Sequence, residues 1–140
     1  MKKRVLILCT GNSARSQMAE GLLRDLAGDR FEVMSAGVLP TRVRPEAIVV
    51  MREVGIDISS HRSKSVDEFL NQNFDFVLTV CDNAKQQCPM FPGPARRIHW
   101  GLDDPAEVTG DEHTRLNAFR TARDELRERL KEFDSAYRKS

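Results

Sequence analysis

Residues Val5 to Ser16 read VLILCTGNSARS, and the rest of the chain can be placed around them. Val5, Leu6, Ile7 and Leu8 form an aliphatic run too short to span a membrane, the pattern of a parallel strand buried on both faces. The run ends in Cys9. Thr10, Gly11, Asn12 and Ser13 follow as a turn of small residues. From Ala14 the pattern is helical, with Met18, Leu22, Leu23 and Leu26 on one face and Gly28 as the stop. A strand, a tight turn and a helix N-terminus together make a concavity lined by backbone N–H groups, which favours anions.

Cys9 falls on the floor of that concavity. Backbone amides, the helix dipole and Arg15 all favour its thiolate. The planar fork of Arg15 can hold two oxygens of a tetrahedral oxyanion at once, which a lysine cannot do. Cys-x5-Arg in a strand–turn–helix setting therefore points to thiolate attack on a bound oxyanion, with Thr10, Gly11, Asn12, Ser13, Ala14 and Arg15 as the binding loop.

The segment CTGNSARS resembles the phosphate-binding loop of the low-molecular-weight protein tyrosine phosphatases and of the arsenate reductases that share their fold. Composition agrees with a cytosolic enzyme on one domain spanning 1–140. Net charge is +1, so nucleic acid is not an expected partner. No apolar stretch reaches membrane-spanning length, and the basic start Lys2-Lys3-Arg4 runs straight into a strand rather than a signal peptide. Three cysteines in such a chain suit catalytic or redox use better than a structural disulfide framework.

Further along, Phe31 to Met34 reads as a short strand closed by Ser35-Ala36-Gly37. Pro45 opens a helix through Ala47, Val50, Met51 and Val54 that ends at Gly55. Ser65 to Glu68 fits a capping box for a short helix carrying Phe69 and Leu70. Phe74 to Val80 is a strand ending at Cys81, and Arg97 to Trp100 is a weaker one, with Trp100 assigned to the core. A long helix from about Asp111 carries Leu116, Phe119, Leu126, Leu130, Phe133 and Tyr137 at helical spacing. Alternating strands and helices define an α/β fold of three layers, a parallel sheet with helices on both faces. The resemblance implies four strands in the order 2-1-3-4. Strands one and three then flank the switch point where open sheets place their ligands, with Cys9 and Cys81 on the same rim.

Cys81 and Cys88 are separated by seven positions, with Pro89 just beyond. In a helix they would lie about 10 Å apart along the axis, beyond the roughly 7 Å between Cα atoms that a disulfide allows. They can pair only if the segment unwinds, and Asn83, Gln86 and Gln87 describe a helix marginal enough to do so. The pair, with CTGNSARSQMAE, SAG and HWGLDDPA, resembles the thioredoxin-coupled arsenate reductases over nearly the whole chain. That resemblance implies Cys9 as nucleophile, Cys81 and then Cys88 as successive thiols, and thioredoxin as electron donor, with no tightly bound cofactor. It implies Asp104 as general acid, Ser16 as hydrogen-bond partner of Cys9, Asn12 as a brace for the loop, and a monomer. Two other readings use the same loop: a tyrosine phosphatase, which has no need of Cys81 and Cys88, and a non-enzymatic oxyanion or redox sensor. Asp103 is assigned a structural role.

His61, His99 and His113 lack metal-ligand spacing, so no metal site is expected and all three are read as structural or surface residues. Some of these reductases bind potassium behind the loop, and Asn12, Glu20 and Ser35 match three of its ligands. The fourth, acidic there, is Lys64 here. The expectation is that Lys64 pairs with Glu20 in the ion's place.

Overall fold

A computed structural model describes residues 2–81 and 91–138. Strands β1 (Lys3–Cys9), β2 (Phe31–Gly37), β3 (Phe76–Thr79) and β4 (Arg96–His99) form one sheet in the order β2-β1-β3-β4. Every pairing is parallel. The expected order holds. Helices α1 (Arg15–Ala27), α2 (Pro45–Arg52) and α3 (Glu112–Tyr137) are joined by two 3₁₀ helices, Val66–Phe69 and Pro105–Glu107.

Alternation along β1 explains both faces of the sheet. Val5, Ile7 and Cys9 meet Met18 and Leu23 of α1, Met51 of α2 and Leu126, Leu130 and Phe133 of α3 in one core. Leu6 and Leu8 face the other way, onto Phe69 of the first 3₁₀ helix, Phe74 and Phe91. A strand covered on both sides needs apolar residues at every position, which is why its sequence lacks a polar alternation.

Several boundaries differ from the sequence reading. The second strand continues through Ser35, Ala36 and Gly37, because their backbones pair with Ile7, Leu8 and Cys9. The third is shorter, its ladder running only from Phe76 to Thr79. Leu26 is 37% exposed, since α1 turns Met18, Leu22, Leu23 and Ala27 inward instead. Trp100 is half-buried, edge-on to Phe133. Gly28 caps α1 with an ordinary right-handed conformation, whereas Gly55 after α2 takes φ 82, where a Cβ would be strained.

Candidate active site

Parallel pairing of β1 with β3 sets Leu8 against Thr79, and the Val80 N–H donates to the Leu8 carbonyl at 3.0 Å. Cys9 and Cys81 therefore leave the sheet at the C-terminal ends of adjacent strands. Both are buried, at 2% and 0% exposure, and the Cys81 thiol lies 4.0 Å from the Leu8 carbonyl. Cys88, and the helical reading of the segment around it, lie outside the described residues.

The loop between Cys9 and Arg15 is shaped from outside. The Leu39 N–H donates to the Thr10 carbonyl at 2.9 Å, Thr41 to Gly11 at 3.2 Å and Arg44 to Ser13 at 2.8 Å. The Ser63 hydroxyl and Gln17 Nε2 donate to the Asn12 carbonyl at 2.7 and 3.2 Å. In a planar trans peptide the N–H points opposite the C=O. Tying these carbonyls outward turns the amides of Gly11, Asn12, Ser13 and Ala14 toward the loop centre, as anion binding requires. The strap from Leu39 to Arg44 was not recognisable in the sequence, because backbone donors leave no residue signature.

Asn12 makes the bend, with φ 47, a conformation that asparagine tolerates better than most side chains. Its amide is saturated. Nδ2 donates to Ser16 Oγ at 2.8 Å and to Ser35 Oγ at 2.9 Å. Oδ1 accepts from the Lys64 N–H at 2.8 Å and from Gln17 Nε2 at 2.9 Å. Ser16 Oγ stands 2.8 Å from Cys9 Sγ. Because Ser16 accepts from Asn12, its own proton is available to a sulfur anion.

The Ser35 hydroxyl donates to Glu20 Oε1 at 2.6 Å. Glu20 is buried and ringed by basic groups: Arg24 at 3.0 Å, Lys64 Nζ at 3.6 Å and His61 Nδ1 at 3.5 Å. Lys64 thus pairs with Glu20 as expected. Burial pushes the Lys64 ammonium below its usual range, while Glu20 pulls the other way. His61, read only as structural or surface, belongs to this network. Gln17 Nε2 donates to Asn12 and, at 2.8 Å, to the Arg62 carbonyl, so its Oε1 must accept from His61 Nδ1 at 3.1 Å. Burial lowers the His61 pKa, Glu20 opposes the shift, and Arg24 and Lys64 add to it. Neither Gln17 nor His61 has a local signature; the contact spans 44 residues.

Arg15 is 3% exposed. Its Nη1 donates to the Leu102 carbonyl at 2.8 Å and, more weakly, to the Val80 carbonyl at 3.4 Å. Asp104 Oδ2 lies 3.6 Å from Arg15 Nη2, while Oδ1 accepts from the Ala106 N–H at 2.9 Å. One carboxyl oxygen caps the Pro105–Glu107 turn and the other faces the loop, so the turn role and a catalytic one are compatible. Asp103 is exposed. Cys9, Thr10, Gly11, Ser13, Ala14, Arg15, Leu39, Thr41 and Asp104 line a cavity of about 250 Å³, and none of these residues brings an aromatic ring to its walls. Thr10 Oγ1 is buried there without a hydrogen-bond partner among the described residues.

His99 and His113 stand apart from the loop, His99 against Thr79 and His113 beside Asn117. Among the described residues no group of three or more His, Cys, Asp or Glu is arranged to hold a metal, and no helix is long and apolar enough to cross a membrane.

A strand-ending cysteine under an amide-lined loop, closed by a buried arginine farther along the chain, defines a phosphatase-type oxyanion site. Residues 4–140 match the low molecular weight phosphotyrosine protein phosphatase family, to which the chain belongs. Within that family it stands with the arsenate reductases. It is 47% identical over 131 residues to an arsenate reductase of Bacillus subtilis, covering 94% of each chain. A solved arsenate reductase in its phosphate-binding state superposes with a TM-score of 0.79 at 34% identity, covering 96% of this chain and 98% of that one. The thioredoxin-dependent arsenate reductase of Corynebacterium glutamicum superposes with a TM-score of 0.74 at 29% identity, covering 96% of this chain and 61% of that one.

Proposed function

We propose that the chain reduces arsenate to arsenite through a relay of Cys9, Cys81 and Cys88, with thioredoxin restoring the thiols. Arsenate binds to the amides of the Thr10–Arg15 loop and to the Arg15 guanidinium. The Cys9 thiolate, steadied by the Ser16 proton, attacks arsenic; an arsenate hydroxyl leaves as water, taking a proton from Asp104. Cys81 then attacks the Cys9 sulfur. The S–As bond breaks, its electron pair stays on arsenic, and arsenite departs as the Cys9–Cys81 disulfide forms. Cys88 attacks Cys81, freeing Cys9 and leaving Cys81–Cys88 for the thioredoxin dithiol to reduce. Each sulfur step is thiol–disulfide exchange through a thiolate.

The observation that carries this reading is the placement of Cys81 at the end of β3, the strand beside the one that delivers Cys9. A phosphatase needs only Cys9, Arg15 and Asp104. Phosphate matches arsenate in shape and charge, so the loop cannot exclude it by binding; selectivity comes from the fact that As(V) on sulfur can be reduced by a thiol and phosphorus cannot. The same groups give a weak side activity toward aryl phosphates, and among the described residues the cavity lining offers no aromatic wall to hold the ring. A thiol relay of this kind operates in the reducing cytoplasm, and all its groups come from one chain, consistent with a monomer.

A single-turnover test decides it. Reduced protein mixed with arsenate, without thioredoxin, is expected to release one arsenite per chain and lose two titratable thiols. Cys9→Ser should release none. Aryl phosphate hydrolysis more efficient than arsenate reduction would favour a phosphatase instead.

A further inference from the structure

We propose that Arg15 also serves as the positioning residue for Cys81, so that oxyanion binding and the placement of the second thiol are linked through one side chain. The proposal rests on the relay reading, in which Cys81 must reach the Cys9 sulfur.

The ladder between β1 and β3 ends with the pair Leu8 and Thr79. On that side the Val80 N–H still donates to the Leu8 carbonyl at 3.0 Å, although β3 itself ends at Thr79. The next carbonyl, that of Val80, belongs to the peptide whose nitrogen is Cys81's own. Arg15 Nη1 reaches it at 3.4 Å. The same Nη1 holds the Leu102 carbonyl at 2.8 Å, two residues before Asp104, and Nη2 is 3.6 Å from Asp104 itself. One buried guanidinium thus joins the first turn of α1, the peptide that carries Cys81 and the turn that carries Asp104.

Burial makes the arrangement consequential. A carbonyl left without a donor away from water is costly, and a charged donor binds it more strongly than a neutral one. A lysine at position 15 offers one ammonium centre and cannot reproduce a planar fork reaching two carbonyls and a carboxylate. Loss of the fork therefore loosens the Val80–Cys81 peptide even when no anion is present. Linkage works in the other direction too: an oxyanion that fixes the guanidinium also fixes Val80, because coupling between two sites is reciprocal. Cys81 is then held in place when arsenate occupies the loop and is freer to swing toward Cys88 once arsenite has left.

The test reads Cys81 directly. In full-length protein carrying Cys9→Ser and Cys88→Ser, Cys81 is the remaining thiol, and its alkylation by N-ethylmaleimide reports how often its surroundings open. In chloride buffer free of oxyanions, adding Arg15→Lys should speed this alkylation about tenfold, with amide exchange at Leu126 and Leu130 unchanged. In the Arg15 parent, saturating phosphate at constant ionic strength should slow it by about threefold or more. An Arg15→Lys rate equal to the parent's overturns the proposal, as does a rise matched by faster exchange in α3. If Arg15→Lys does not fold, the phosphate arm decides alone, and absence of protection overturns the proposal. Neither arm uses arsenate or turnover, so its failure is distinct from failure of the reductase reading.

Discussion

Gly37→Ala is expected to disable the site from behind. Gly37 ends β2 opposite Cys9, and a Cβ built on it would lie 2.6 Å from the Thr10 carbonyl oxygen, 2.8 Å from the Asn12 nitrogen and 2.9 Å from the Cys9 carbonyl oxygen. All three are backbone atoms where β1 runs into the oxyanion loop, so no side chain can swing aside. Gly37 cannot retreat freely either, because its N–H is held by the Lys64 carbonyl at 2.9 Å. The loop must give way by about half an ångström. Overpacking of this kind costs about 1–3 kcal/mol, or about 3–10 °C in melting temperature for a chain of this size. Activity should suffer more than stability, because a ~1 Å misplacement of catalytic groups can cost ~10²-fold; about a tenfold loss of arsenate turnover and weaker phosphate binding are expected. Calorimetry, phosphate titration and initial rates on the purified variant measure all three. Unchanged turnover together with an unchanged melting temperature would refute the close-approach argument.

Asp104→Asn should slow the first chemical step by about 10²–10⁴-fold while the fold persists, since Asn can still accept from the Ala106 N–H; a rate near wild type in stopped-flow would reduce Asp104 to a turn residue. Because Lys64 Nζ stands 3.6 Å from Glu20, exchanging potassium for sodium at constant ionic strength should leave activity and melting temperature unchanged, and a potassium-specific gain in either would show that an ion still binds. Hydrogen bonds from Arg120 first and Arg123 second hold the Glu53 carboxyl down from 4.5 to about 2. The folded state therefore binds fewer protons than the unfolded one between those values, so this stabilisation is complete above pH 4.5 and is lost as pH falls toward about 2. Melting curves of wild type and Glu53→Gln should converge across that window; a constant gap between them would contradict the pairing.

The parts of the molecule legible in the sequence are those that local chemistry writes down. Val5 to Leu8 had to be a doubly buried strand because no polar residue interrupts them, and Cys9 and Arg15, at Cys-x5-Arg spacing in a strand–turn–helix context, point to an oxyanion loop. Lys64 was found through one departure from a known pattern. What stayed hidden depends on distant backbone. Leu39, Thr41 and Arg44 shape the loop through N–H groups that every residue except proline owns. Gln17 and His61 meet across 44 residues, so neither resembles a site residue in its own segment. The SAG stretch was visible as a motif without its reason, which lies in Ser35 bridging Asn12 and Glu20 and in the space Gly37 leaves for the loop. Leu26 followed the helical period yet stays at the surface, because period alone does not say how wide a stripe the sheet and α3 cover.

In the proposed relay Cys81 has a role that phosphoryl chemistry does not need, the carrying of electrons. That role is tested most directly by arsenate-dependent NADPH oxidation in the presence of thioredoxin and thioredoxin reductase, comparing wild type with Cys81→Ser and assaying aryl phosphate hydrolysis on the same preparations. Wild type should consume NADPH in step with arsenate, and Cys81→Ser should lose that turnover while keeping whatever hydrolysis the wild type shows. Arsenate turnover surviving intact in Cys81→Ser would contradict the three-cysteine relay.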